Sequence, residues 1–200
     1  MARIRRSEKT REQLLKEGIN LLSEHGYHGT GLKLILDTVN VPKGSFYNYF
    51  SSKEHFVAEI LNTYANQLLV KFDAHIAQSS LSPIALIEQV YDFMVDSFEQ
   101  ESHLKGCLLG NMAAEIGGHS ELCRESMRAT VVEWKKRMVS IIEMAQAQGQ
   151  IRTDVEAAQL ADLLWCTWEG ALLKMKIESS TDTVRQTLHL LLRQLLVPTT

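Results

Sequence analysis

Apolar residues recur every three or four positions along most of the chain, which is the period of an amphipathic helix. The first such segment is expected to run from about Ser7 to His25, with Gly26 as its C-terminal stop. Its apolar face comprises Leu14, Leu15, Ile19 and Leu22. Alternating β-branched runs bounded by Asn-Gly or Asp-Gly turns, the signal of strands, are absent from the sequence. The pattern therefore predicts an all-α fold of about nine helices.

Two short helices are expected after the first. Thr30 is a plausible N-cap for a helix over 31–38, whose inward face would be formed by Leu32, Ile35 and Leu36. A tight connection over 39–41 leads to Pro42, and proline suits the first turn of a helix. The third helix is therefore predicted from Pro42 to Asn48 or Tyr49. Three helices with a tight turn between the second and third form a helix-turn-helix arrangement.

Longer helices follow. Residues 50–54 form a cap signal for a fourth helix that reaches about Ala77. Proline occurs only at positions 42, 83 and 198, so a long stretch remains open to helices. Helices are predicted from Pro83 to Gln100, over 107–116, from Ser120 to Gln148, from an N-cap at Asp154 to Ile177, and from an N-cap at Asp182 to Leu196.

The charge of the 200 residues is unevenly distributed. The net charge of −3 and the sequence pI near 6.2 would, for the whole chain, argue against a nucleic-acid partner. However, nine of the 21 Lys and Arg residues and only five of the 24 acidic residues lie within 1–53, a balance of +4. The remaining 12 basic and 19 acidic residues give 54–200 a balance of −7. A basic head on an acidic body indicates two functions in one chain.

Several function classes are disfavoured by the sequence. No run approaches 18 apolar residues, and the basic start has neither an apolar run nor a cleavage site after it, so we expect neither a membrane span nor a secretory signal. Three cysteines without a CxxC pair favour the reducing cytoplasm. The seven histidines form no HExxH motif or ligand cluster, and GxSxG, P-loop and GxGxxG motifs are absent. We therefore expect no metal, no cofactor and no enzymatic activity.

The segment from Pro42 to Phe50 carries the chemistry of a DNA-reading helix. Gly44 lets the backbone approach a groove closely, while Lys43 supplies a charge for phosphate. Phe46, Tyr49 and Phe50 fit the side that packs on the other helices. The candidate DNA contacts are Thr30, Lys43, Gly44, Ser45, Tyr47, Asn48 and Lys53, the last at the start of helix 4. The alternative is a three-helix bundle that does not bind DNA.

This stretch resembles the TetR family of one-component transcriptional regulators over residues 7–60. The matching elements are Gly26-Tyr27, Thr30, the run from Lys43 to Phe50, and Ser52-Lys53-Glu54. Pro42 and Gly31 depart from the residues that many members carry there. The resemblance implies a DNA-binding domain over 1–53 and a sensing and dimerisation domain over 54–200. It further implies a homodimer that binds a near-palindromic double-stranded operator, usually as a repressor.

The resemblance also implies that the last two helices pair with those of a second copy. Both carry large apolar faces, and much of each must be intramolecular core. These faces comprise Ala158, Ala161, Leu164, Trp165, Trp168, Ala171, Leu172 and Met175 on the first, and Val184, Leu188, Leu191, Leu192 and Leu195 on the second. Ala161, Gly170 and Ala171 would permit close approach of a partner helix.

A small-molecule effector is expected to bind among helices 4 to 8. Aromatic and Met residues with few polar groups suit an apolar pocket, although each is also compatible with plain core packing. The candidates are Tyr64, Phe93, Met94, Phe98, Asn111, Met112, Trp134, Met138, Trp165 and Trp168. A regulator that dispenses with a small-molecule ligand is an alternative.

Cys107 is a candidate sensor of reactive electrophiles. It follows Lys105-Gly106 and begins a helix, so a cation and the amide dipoles could both favour a thiolate. His103 lies four residues upstream. The segment over 106–111 resembles a TetR subgroup that includes the N-ethylmaleimide-responsive and acrylate-responsive repressors. Two alternatives remain, a buried structural cysteine and a small helical enzyme that uses Cys107 and His103.

Overall fold

The computed structural model of the chain describes residues 2–100 and 104–198, and the side chains from Ser7 onward. Within these residues it contains helices and no strand, which confirms the all-α prediction. The helices are α1 (Ala2–Gly29), α2 (Leu32–Thr38), α3 (Lys43–Phe46), α4 (Lys53–Gln78), α5 (Pro83–Glu99), α6 (Leu108–Ile116), α7 (Glu121–Ala147), α8 (Ala157–Glu178) and α9 (Asp182–Leu190), and a π-helical turn over Leu191–Leu195 continues α9. His103 lies outside the described residues.

Three predicted N-caps are wrong because their side chains bind elsewhere or lie one position too late. Gly31, not Thr30, precedes α2, and the Thr30 hydroxyl donates to the carbonyl oxygen of Leu21 at 3.1 Å. The Asp154 carboxylate accepts hydrogen bonds from Arg152, and α8 begins after Glu156. Asp182 is the first residue of α9 rather than its cap.

Other boundaries agree with the sequence or differ by about one turn. Pro83 opens α5 in the first turn as predicted, whereas Pro42 (φ −60°, ψ 141°) is the residue before α3. Helix α3 is shorter than predicted, and residues 47–49 continue it as turns. Gly26 interrupts α1 as expected, with a left-handed φ of 69°. On the apolar face of α8, Ala157 is buried and the predicted Ala158 is exposed.

The chain forms two compact units. The first unit comprises Met1–Gln67 and Cys107–Thr130, and the second comprises Leu68–Gly106 and Val131–Thr200. These units do not coincide with a sequence boundary after Lys53, because α6 packs against α1 and the first halves of α4 and α7 belong to the first unit. The functional division at residue 53 stays a prediction.

The first unit has a core built from α1, α2, α3, α4, α6 and α7. Leu14 and Leu22 of α1 are fully buried, as are Ile35 of α2, Phe46 of α3 and Met112 of α6. The aromatic ring of Phe46 lies 5.3 Å from that of Phe50 and 5.4 Å from that of Phe56, measured between ring centroids. The predicted inward face of α3 is therefore confirmed for Phe46 and Phe50, while Tyr49 is half-buried.

In the second unit, α9 is held between α5 and α8. Arg185 of α9 forms ion pairs with Asp92, Asp96 and Glu99 of α5 at 3.1, 2.6 and 3.1 Å. On the other side, Val184 and Leu188 are buried where α9 packs against α8. Helix α9 is thus fixed by charge on one side and by apolar contact on the other.

Candidate nucleic-acid interface and sensing region

The turn between α2 and α3 is closed by backbone hydrogen bonds. The N–H of Val41 donates to the carbonyl of Leu36 at 3.0 Å, and that of Asn40 donates to the carbonyl of Asp37 at 3.3 Å. Asn40 has a φ of 52°, a left-handed conformation that asparagine adopts more readily than most residues. These are the two bonds of a Schellman motif, which ends α2 and directs the chain into α3.

The segment from Lys43 to Asn48 presents a polar, exposed face. Lys43, Gly44 and Asn48 are exposed, Ser45 is half-buried, and the Tyr47 side chain is 54% exposed. A Cβ atom placed on Gly44 would meet no atom within 4 Å, so this residue leaves the backbone open to an approaching molecule. Five of the predicted DNA contacts therefore lie together on one short segment.

The rigidity of this face comes from the rings beneath it. Phe50 and Phe56 have their ring centroids 4.7 Å apart, and the Arg11 guanidinium lies 5.5 Å from the Phe50 ring centroid. Arg11 also forms an ion pair with Glu59 of α4 at 2.7 Å. Buried aromatic contacts of this kind fix the orientation of α3 relative to α1 and α4.

Thr30 has a structural role in place of the predicted DNA contact. Its side chain is 0% exposed, and its hydroxyl is bonded to Leu21 of α1. A hydroxyl so placed cannot reach a phosphate. It ties the start of α2 to α1, whereas Lys33, an exposed residue on α2 that the motif analysis did not single out, offers a charge on that helix.

Lys53 is also engaged within the protein. Its ammonium donates a hydrogen bond to the carbonyl oxygen of Tyr27 at 2.8 Å and lies 4.0 Å from the centroid of the Tyr27 ring. Burial lowers the pKa of Lys53, and the negative charge of Glu115 acts in the opposite direction. This lysine therefore joins the start of α4 to the end of α1.

Glu115 is a residue of this region that sequence reasoning missed. Its carboxylate accepts a hydrogen bond from the backbone N–H of His28 at 3.1 Å. The two residues are 87 positions apart, and no local pattern indicates such a contact. The related sequence signal is Gly26, whose φ of 69° favours glycine and which lies beside this carboxylate.

Two family models match the chain. The model described as bacterial regulatory proteins, tetR family, matches residues 14–60, and the model described as tetracyclin repressor-like, C-terminal domain, matches residues 83–191. This chain belongs to the TetR family. The resemblance found in the helix-turn-helix is thereby confirmed and extended to the C-terminal helices.

Relatives within the TetR family are similar over nearly their whole length. The repressor DhaR of Mycobacterium sp. strain GP1 is 31% identical over 189 residues, which cover 94% of this chain and 93% of that protein. The repressor NemR of Escherichia coli K12 is 30% identical over 183 residues, covering 90% of each chain. A crystal structure of a regulatory protein TetR from Rhodobacter sphaeroides has a TM-score of 0.84 at 29% identity, covering 91% of this chain and 96% of that one.

Membership of the TetR family establishes the class of function. The chain is a DNA-binding transcriptional regulator and not an enzyme, since both its relatives and its fold are those of regulators. Regulators of this family bind operator DNA, act as dimers and respond to small-molecule effectors. In the described part of the chain, no helix has the length and apolarity to cross a membrane.

The predicted effector-contact residues are distributed over both units of this TetR-family chain. Tyr64, Cys107, Asn111 and Met112 belong to the first unit; Phe93, Met94, Phe98, Trp134, Met138, Trp165 and Trp168 belong to the second. In the second unit, Trp168 contacts Tyr91 in a tilted arrangement and Phe98 in a stacked one, with ring centroids 5.1 and 6.1 Å away. Trp134 and Trp165 form a separate pair at 5.0 Å. The tryptophans thus form two aromatic groups, and Tyr91, which was not among the candidates, completes one of them.

The three cysteines have different environments. Cys107 is the residue before α6 and its side chain is 7% exposed, so the thiol lies at the helix N-terminus as predicted. Cys123 of α7 is buried, its thiol donates to the carbonyl of Glu54 at 3.6 Å, and burial raises its pKa. Cys166 of α8 is exposed. Across the described residues, no group of three or more His, Cys, Asp and Glu side chains is arranged to hold a metal ion.

Proposed function

We propose that this chain is a repressor that binds a near-palindromic operator as a homodimer and leaves it when a small molecule or reactive electrophile acts on the C-terminal region. The observation that carries the DNA-binding part is the exposed polar face from Lys43 to Asn48 on its buried aromatic base. The relatives DhaR and NemR are both named as repressors. Since its operator would lie on a bacterial chromosome, the cytoplasm is the compartment in which it would act.

The exposed segment from Lys43 to Asn48, which we call the reading segment, would enter the major groove of each half-site. A twofold-symmetric dimer requires half-sites about 34–36 Å apart, one helical turn of DNA, or a multiple of that spacing. Lys43 would contact a phosphate, and Tyr47, Asn48 and Ser45 would approach phosphates or base edges. The open backbone at Gly44 would allow the close approach that these short contacts need.

The alanine variants of Lys43 and Tyr47 test this face directly. Lys43→Ala should reduce the magnitude of the slope of log affinity against log salt by about two, because the dimer loses one phosphate contact in each half-site. Tyr47→Ala should weaken binding by about 1–3 kcal/mol if the side chain contacts a base. Binding is measured by fluorescence anisotropy over a salt series, on a duplex selected by this protein from a random double-stranded library.

Lys71→Ala is the matched control for the loss of one exposed positive charge. Lys71 is exposed on α4 in the second unit, outside the reading segment. It should leave both the affinity and the salt slope unchanged. Unaltered binding by both variants of the reading segment would rule out this DNA-binding face.

The dimer would form through α8 and α9. Exposed residues Leu163, Cys166, Gly170, Leu173 and Ile177 follow one another on α8 at spacings of three and four, which places them on one stripe of the helix. Leu173 and Ile177 are 63% and 77% exposed. A groove between α8 and α9 adds Leu190 and Leu195, both exposed, to the same apolar surface. An apolar stripe of this extent, with a glycine that meets no neighbour, suits a second copy of the chain.

Cys107 would be the reactive group of the sensor. The helix N-terminus stabilises negative charge through its unpaired amides, and the residue occupies the capping position of α6. The other cysteines fit the role less well, because the buried Cys123 thiol donates a hydrogen bond to the backbone carbonyl of Glu54 and Cys166 lies on the proposed dimer stripe.

Treatment with N-ethylmaleimide tests the sensor. The thiolate would add to the maleimide double bond, the thioether carbon–sulfur bond would form, and a proton from water would complete the adduct. We expect the alkylated protein to lose at least tenfold in affinity for the selected duplex, within the range typical of coupled sites. Cys107→Ser should abolish this response, whereas Cys166→Ser should retain it. An intact response in Cys107→Ser would exclude Cys107 as the sensor and would favour a regulator controlled in another way.

A further inference from the structure

The end of α6 is bonded to the segment that leads into the DNA-reading helices. Glu115 is the penultimate residue of α6, and its carboxylate accepts the hydrogen bond of the His28 backbone N–H at 3.1 Å. This is a contact of a charged acceptor with backbone, which is stronger than a contact between neutral groups. His28 lies two residues before Thr30, whose hydroxyl bonds the start of α2 to α1.

The same carboxylate lies directly against Gly26. A Cβ atom added to Gly26 would lie 2.3 Å from Oε1 of Glu115, so the carboxylate would have to move away. Gly26 also has a φ of 69°, so a side chain there would be strained even without the carboxylate. The kink of α1 and the position of Glu115 are therefore fitted to each other.

Lys53 completes the arrangement from α4. Its ammonium is hydrogen-bonded to the Tyr27 carbonyl at 2.8 Å and lies over the Tyr27 ring at 4.0 Å. Glu115 is the carboxylate whose charge acts on this ammonium. Tyr27, His28, Lys53 and Glu115, which we call the Glu115 cluster, thus join three helices: α1, α4 and α6.

Two further contacts hold the start of α7 to the start of α4. The Ser120 hydroxyl donates to the Glu54 carboxylate at 3.3 Å, and the Cys123 thiol donates to the Glu54 carbonyl at 3.6 Å. These contacts fix α7 on α4, but neither touches the Tyr27 to His28 segment. The Glu115 cluster connects the end of α6 with the segment that leads to α2 and α3, within the wider packing of α6 on α1.

We propose that Glu115 is a positioning residue for DNA binding, which sets the orientation of the reading segment through the His28 backbone and Lys53, and that Lys53 serves this cluster rather than a DNA phosphate. Helix α6 carries Cys107 at one end and Glu115 near the other, about 12 Å away at 1.5 Å per residue. In so far as the proposed sensor at Cys107 holds, a displacement of α6 would be transmitted to the reading segment through this cluster.

A double-mutant cycle tests the positioning role. Affinity for the selected duplex is measured for Glu115→Ala, Lys53→Met and the double variant over a salt series. Each single change should weaken binding at least fivefold. The affinity of the double variant should lie within about twofold of that of the weaker-binding single variant, because both changes disable one cluster. The salt slope of Lys53→Met should equal that of the unmodified protein, in contrast to the decrease of about two in Lys43→Ala.

Glu125→Ala is the matched control, since it removes an exposed carboxylate from α7 in the same unit. It should leave affinity unchanged. Glu115→Gln removes the charge but retains a hydrogen-bond acceptor, and it replaces Glu115→Ala in the cycle if the melting temperature shows that the alanine variant fails to fold. The proposal is overturned if the variant of Glu115 binds as tightly as the unmodified protein, if the losses are additive, or if Lys53→Met lowers the magnitude of the salt slope by about two.

The maleimide response separates this proposal from the proposed sensor. With the cluster disabled, alkylation by N-ethylmaleimide should no longer reduce affinity, although the unmodified protein still responds. A response of normal size in Glu115→Ala would refute the transmission through the cluster. If the unmodified protein itself does not respond, the Cys107 hypothesis fails, and the double-mutant cycle alone decides the role of Glu115.

Discussion

Replacement of Phe46 by alanine is expected to destabilise the first unit by about 3–5 kcal/mol, the range for removing a fully buried aromatic side chain. The Phe46 side chain is 0% exposed and its ring contacts those of Phe50 and Phe56. Its removal would leave a cavity directly under the reading segment. Since a typical domain is stable by only about 5–15 kcal/mol, this is a large part of the total.

The measurement is urea unfolding followed by circular dichroism at a fixed protomer concentration, because dimerisation contributes to apparent stability. Phe93→Ala is the matched control, as this phenylalanine is 46% exposed on α5. It should cost less than about 1 kcal/mol. Equal losses in the two variants would contradict the assignment of Phe46 to the base of the reading segment.

The helix-turn-helix region was largely predictable from the sequence because its sequence signals are local. The spacing of apolar residues predicts α1 and α2, and the motif from Lys43 to Phe50 distinguishes the inward rings from the outward polar groups. Phe46 is buried and Tyr47 exposed, as their alternation in the motif requires. Each of these properties depends on residues within one or two turns.

The predictions that failed depend on which partner a polar side chain binds, and residue type does not specify that partner. Threonine is a common N-cap residue, but the Thr30 hydroxyl donates its hydrogen bond to the Leu21 carbonyl on α1. The Asp154 carboxylate likewise accepts a hydrogen bond from Arg152, two residues away, and α8 begins after Glu156. The contact of Glu115 with His28 joins positions 87 apart, and no periodicity or motif can specify such a pair.

The sensing region was less predictable for a related reason. Aromatic and methionine side chains satisfy the requirements of a core and of a ligand pocket equally well. Trp168 is buried against Tyr91 and Phe98, while Phe93 is exposed and contacts His75 with ring centroids 5.3 Å apart. Residue type alone could not separate these environments, because burial is decided by which helices pack together.

Substitutions on the α8 stripe are expected to dissociate the proposed dimer. The double variant Leu173→Asp with Ile177→Asp should be monomeric at concentrations at which the unmodified protein is a dimer. Pairing two copies through α8 would bury four carboxylates in an apolar interface, and unpaired charges in such surroundings are strongly unfavourable. Both positions are exposed in the single chain, so the substitutions should leave the protomer folded. Sedimentation velocity over a range of protomer concentrations measures the association.

Loss of the dimer should in turn weaken operator binding by about 10²–10⁴-fold, because two linked reading heads bind with a high effective concentration and a single head does not. The salt slope should also fall by about half, since a monomer neutralises the phosphates of one half-site. This outcome distinguishes dissociation from damage to the reading face, in which the dimer remains intact.

A matched double variant controls for the added charge. Val70→Asp with Val132→Asp introduces two carboxylates at exposed apolar positions of α4 and α7 in the same unit, where the side chains are 67% and 45% exposed. This variant should remain a dimer and bind the selected duplex normally. Dissociation of the control, or a stable dimer in the α8 variant, would refute the assignment of the interface. Arg185 fixes α9 to α5. The α8 stripe can therefore stay exposed to solvent in the single chain without loss of the fold, as an interface for a second copy requires.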